Sequence, residues 1–117
     1  MAKNSKNTPK KADASRTTRI TKSRARKFLA QVPEQCVFWC NDGNILRDLK
    51  ELGNALVSMS DQTFAYHSND LKKDFSNWIR DIVGDTNLAQ SLESATSREQ
   101  AAGIVEARFK LLVSKAG

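Results

Sequence analysis

FAYHSNDLKKDFSNWIRDIVGD, residues 64–85, is the stretch that decides how this chain of 117 residues is read. Leu71, Phe75, Trp78, Ile79, Ile82 and Val83 stand 0, 4, 7, 8, 11 and 12 residues along it, which lays one continuous apolar face on a helix. Gly84 stops that helix, and Asp85 is placed to cap a short one bearing Leu88, Ala89 and Leu92. On the upstream side, Ser60 or Asp61 caps a helix that holds Phe64 and His67 and closes at Ser68, Asn69 and Asp70.

Working outward, Asp48 and Glu51 have the spacing of a capping box, and Leu49, Leu52, Leu56 and Met59 continue an apolar stripe, so a helix is expected over 48–59. Before it, CVFWCNDGNIL is an apolar run followed by Asp42-Gly43, a favoured pair for a tight hairpin turn. Short strands are expected at about 36–40 and 44–46. Ala25, Phe28, Leu29 and Val32 fall at helical spacing behind Ser23, and Pro33 ends that segment. Beyond the central stretch, Thr96 and Glu99 form a second capping box. A last helix then runs to about Lys115 through Ala101, Ile104, Val105, Phe109 and Leu112.

Charge divides the chain unevenly. Residues 1–27 carry ten Lys or Arg against Asp13 alone, whereas 28–117 carry nine basic and twelve acidic residues. Ile20 is the only large apolar residue of the first segment after Met1, too little burial to offset the ordering entropy of about 1–2 kcal/mol per residue. The expectation is a mainly α protein: a disordered basic arm over 1–27, then a single domain over 28–117. That domain is a small bundle of four to five helices with a short N-terminal β-hairpin.

No apolar run of signal-peptide length follows the positive start, and the basic, Ser/Thr-rich segment lacks the amphipathic face of a transit peptide. No stretch approaches the roughly 18 apolar residues of a membrane span, so no membrane partner is expected. Two Cys without an export signal point to reduced thiols and a cytoplasmic setting, with nucleoid association as an option.

The chemistry-bearing residues of the central stretch are Tyr66, His67, Asp74, Asp81 and Asp85. They are types that an acid/base site uses, with His67 and either Asp74 or Asp81 as the pair. No Ser or Cys stands in a nucleophile motif, Trp78 lies on the apolar stripe, and Asp74 and Asp81 share a helix side on which they can accept structural hydrogen bonds. The bland reading, a non-enzymatic core, is preferred. Cys36, Cys40 and His67 lack the tight spacing and fourth ligand of structural zinc, so neither metal nor cofactor is expected. WIRDIVGDTNLAQSLESA has the outline of a helix-turn-helix. Its second helix, however, would present Thr86, Asn87, Gln90, Ser91, Glu93 and Ser94, with no cation for phosphate or guanine.

The phrases FAYHSN, DFSNWIRDIVGD and NLAQSL resemble the pattern of a small domain-of-unknown-function family of archaea and bacteria, over about residues 36–95. The likeness marks Phe64, Tyr66, His67, Asp74, Phe75, Trp78, Asp81, Asp85, Leu88 and Ala89 as pattern residues. It implies a mainly helical module and carries no catalytic assignment.

The arm lies outside that likeness and rests on charge. Lys3, Lys6, Lys10, Lys11, Arg16, Arg19, Lys22, Arg24, Arg26 and Lys27 would neutralise phosphates and release counterions, giving DNA or RNA binding without sequence preference. The domain itself is expected to make protein contacts or to self-associate. The rival expectations are an interaction module with an incidental solvated tail, and the acid/base enzyme built on His67.

Overall fold

The computed structural model describes residues 20–117. The expected disorder of the arm as far as Arg19 lies outside the described residues. Among these, six helices and one two-stranded hairpin follow in order, against the four to five helices expected.

Helix α1 spans Lys22–Leu29 and is capped by Thr21, whose hydroxyl accepts from the Arg24 N–H at 3.1 Å. It therefore starts upstream of Ser23, and the expected boundary after Lys27 falls inside an ordered helix. Ala25 and Phe28 are the cause: both are buried, and they take the basic residues between them into the packed unit. The helix stops before Val32, which is drawn out beside the hairpin by its N–H bond to the Arg47 carbonyl at 2.8 Å.

A 3₁₀ turn, Glu34–Cys36, replaces the start of the expected first strand. Strands β1 (Phe38–Trp39) and β2 (Ile45–Leu46) pair antiparallel, Phe38 opposite Leu46 and Trp39 opposite Ile45. Cys40 N–H bonds to the Asn44 carbonyl, and Gly43 N–H returns to Cys40 with a φ of 96°. The connection is thus a three-residue loop, 41–43, closed by a left-handed glycine.

Helix α2 (Leu49–Ser58) begins on the expected Asp48 cap, and α3 (Asp61–His67) on Ser60. Helix α4 (Asp74–Trp78) continues through one π-helical turn, Ile79–Val83, and ends at Gly84 with a φ of 94°. Its expected apolar face was drawn one turn too far, since Leu71 is 95% exposed. Asn69 is the reason: its side-chain oxygen accepts from the N–H groups of Leu71 and Lys72, holding those residues in a turn. Helix α5 (Thr86–Glu93) starts on Asp85, as expected. Helix α6 (Arg98–Ala116) is capped by Ser97 rather than Thr96, with Gln100 taking the place foreseen for Glu99.

Helix α6 packs against α1, α2 and α5, while α5 also lies on α4. Leu49, Leu52, Leu56, Ile79, Leu88, Val105 and Leu112 are fully enclosed where these helices meet, each contributing about 1.5–3 kcal/mol of apolar burial. The hairpin covers one end of this core through Phe38, whose ring stacks on Phe75 at 5.1 Å.

Candidate functional site

The last turn of α3 sets His67 beneath the hairpin, 5% exposed. Its Nε2 accepts the Asn41 backbone N–H at 2.8 Å, and its Nδ1 lies 2.9 Å from Asp74 Oδ2. A backbone amide only donates, so Nε2 carries no proton and Nδ1–H donates to the carboxylate. The ring is the neutral tautomer with both nitrogens engaged, and the rings of Phe38, Phe75 and Tyr66 surround it with centroids 4.9–5.3 Å away. Asp74 also receives Lys72 Nζ at 3.4 Å.

Of the two carboxylates expected near His67, the structure supplies only Asp74. Asp81 is exposed and pairs with Arg80 Nε at 3.5 Å. Tyr66 is half exposed, with the Lys72 ammonium 3.9 Å over its ring. Phe64 and Phe75 stack within the core, and Trp78 is buried with its indole N–H donating to the Cys36 carbonyl at 2.8 Å. Phe38, His67, Asp74, Phe75 and Trp78 form a junction between the hairpin, α3 and α4.

Asp85 builds a second junction. It is 1% exposed, accepts the Leu88 N–H at 3.1 Å as the α5 cap, and holds Arg108 of α6 in a two-pronged grip. Arg108 Nε lies 2.7 Å from Oδ2 and Nη2 lies 2.8 Å from Oδ1. The fork geometry supplies charge-assisted bonds to both oxygens, which is what a carboxylate at that depth requires.

Cys36 is half-buried, Cys40 is buried, and both are free thiols. Burial is the main cause that pushes the Cys40 thiol up from its ordinary pKa; the Asp42 backbone N–H opposes the rise and the Asp42 carboxylate adds to it. Among the described residues no group of three His, Cys, Asp or Glu is placed to hold a metal, and no helix is long and apolar enough to cross a membrane.

Lys22, Arg24, Arg26 and Lys27 all stand exposed on α1. Arg24 lies over the Phe28 ring at 5.5 Å, and Arg26 Nε donates to the Ala116 carbonyl at the end of α6. Lys3, Lys6, Lys10, Lys11, Arg16 and Arg19 lie outside the described residues.

Reading the sequence missed three residues. Arg108 answers Asp85 across 23 residues, a pairing no local spacing announces. Arg98 donates to the carbonyls of Leu56 and Val57 and to Asp61, fastening the α2 end to α6. Trp39 is 70% exposed; its alternation with Phe38 signals that one of the two rings faces out. Comparison with family models, with curated proteins and with solved structures finds no match.

Proposed function

We propose that this chain is a non-enzymatic helical module whose basic leader, residues 1–27, binds DNA or RNA without reading sequence. The observation that carries the reading is the segregation of charge. The leader holds a net charge of +9, and the remaining 90 residues sum to −3. Such a leader displaces counterions from a polyphosphate, giving affinity that falls steeply with salt. The acidic remainder leaves the leader as the segment whose charge attracts phosphates. Four of the ten leader cations are displayed on α1, which Ala25 and Phe28 root in the core, so these four are joined to the packed unit.

The His67 junction supports the non-enzymatic part, because both ring nitrogens are taken by protein groups and Asp81 lies elsewhere. Within this reading the pattern over 36–95 belongs to the packing of a helical module, and the setting is the cytoplasm, with the nucleoid as one location.

Titrating labelled duplexes and single strands across a range of salt tests the proposal. Exchange of Lys3, Lys6, Lys10, Lys11, Arg16 and Arg19 for Gln is expected to lower affinity at least tenfold at low salt and to flatten the salt slope by several units. Equal retention by the neutralised form would remove the basis of the reading.

A protein-interaction module is favoured by a different observation. Two grooves of about 290 and 420 Å³ flank α6; Val57, 68% exposed, lines the first and Leu111, 38% exposed, lines the second. Light scattering across concentration separates self-association from a monomer.

A further inference from the structure

The two tryptophans have opposite fates: Trp78 is 7% exposed and hydrogen-bonded, Trp39 is 70% exposed. Phe38 turns into the core, so Trp39 stands on the outer face of the hairpin, opposite the half-buried Ile45. Nothing among the described residues gives this ring a polar partner or a stacking neighbour. A large flat π-system kept in water is suited to take another flat π-system on its face.

Resting on the nucleic-acid reading above, we infer that Trp39 is a stacking platform for an unpaired base, so the molecule prefers single-stranded polynucleotides to duplexes. Charge identifies the occupant. The cationic leader runs into α1, and after α1 the chain reaches Val32, whose N–H bonds to Arg47 at the edge of β2. Lys27 and Trp39 are twelve residues apart, a span of at most about 43 Å. Trp39 therefore stands within that span of Lys27, the last cation of the leader. A strand held there through its phosphates lies inside the ~4–16-nucleotide footprint usual for single-strand binders. Bases stacked inside a duplex offer no free face, whereas those of a single strand do. Tyr66 is the weaker platform, because Lys72 already occupies one side of its ring.

Intrinsic fluorescence of the full chain reads this directly, since the exposed indole emits to the red of the buried one. Oligo-dT, oligo-rU and a duplex of equal length are titrated at one low salt concentration, with acrylamide as a neutral quencher. Quenching of the red emission and protection from acrylamide by either single strand, but not by the duplex, is the expected result. Trp39→Ala is expected to weaken single-strand binding about tenfold and leave duplex binding unchanged, and Trp39→Phe to retain most of it. Equal single-strand affinity of wild type and Trp39→Ala, or equal quenching by duplex and single strand, overturns the stacking role while leaving the electrostatic grip intact. Absence of binding to every polynucleotide overturns both. The fluorescence titration uses the unaltered chain, so its outcome stands even if a variant folds poorly.

Discussion

At the hairpin junction a neutral imidazole bridges a backbone amide and a carboxylate that is still 30% exposed. At the α5 junction a carboxylate with 1% exposure faces a guanidinium with 13%. Both sites pair the polar side-chain atoms of their most buried member, His67 and Asp85, yet they respond differently when one partner is taken away. In the first, the loss is that of hydrogen bonds made by an uncharged ring, and the carboxylate left behind still meets water. In the second, a charge is stranded out of reach of water.

The largest effect is therefore expected from Arg108→Ala, which leaves Asp85 uncompensated and costs about 3–5 kcal/mol in urea unfolding. Asp85→Ala should cost less, because the guanidinium it releases lies nearer solvent, with about 1 kcal/mol of the loss coming from the α5 cap. If the two variants cost the same, depth of burial is not what separates the junctions. His67→Phe comes next. It keeps the ring volume among Phe38 and Phe75 but deprives the Asn41 N–H of its acceptor, for about 1–3 kcal/mol. A cost as large as that of Arg108→Ala would break the contrast between the two junctions.

The tryptophans make the same comparison at smaller scale. Trp78→Phe removes the bond to the Cys36 carbonyl and part of a packed ring, and is expected to cost about 1–2 kcal/mol. Trp39→Ala, at an exposed position, is expected to stay within about 0.5 kcal/mol of wild type. A larger loss from Trp39→Ala would mean that the outer hairpin face supports the fold rather than standing ready for a ligand.

What could be read in the sequence follows the range of the interactions. Asp48, Ser60 and Asp85 announce helix starts because a cap acts within three residues, and all three bond to the N–H three positions on. Gly84 is legible for the same reason, its positive φ being a local demand. The misreadings arise where a side chain competes with the helix pattern, as Asn69 does by holding Leu71 in a turn despite its apolar character. Helix α1 was legible as a helix, but its rank as part of the core was masked by the basic residues between Ala25 and Phe28. At the candidate site, residue types alone offered His67 a choice of Asp74 and Asp81. Only the turn over 68–73 and the start of α4 at Asp74 decide between them. The grip of Arg108 on Asp85 depends on how α5 and α6 pack, and no local spacing in the chain encodes it.

Asp42 supplies the smallest test, as a carboxylate that does at the surface what Asp85 does inside. It accepts the Asn44 backbone N–H at 3.0 Å and the Asn44 side-chain amide at 3.2 Å, steadying the hairpin loop. The backbone bond is the main cause that holds its pKa below the ordinary carboxylate value. The folded value being the lower one, the stabilisation is fully present above about pH 4 and is lost as pH falls through the folded value. Asp42→Asn keeps an acceptor without the charge. The difference in urea midpoint between wild type and this variant is expected to be small and constant from pH 7 to 5, then to shrink toward pH 3. Taking the difference cancels the titration of the other carboxylates. Because Asp42 is exposed, water screens most of this gain, and a midpoint difference rivalling that of Arg108→Ala would contradict the claim that burial sets the scale at these sites.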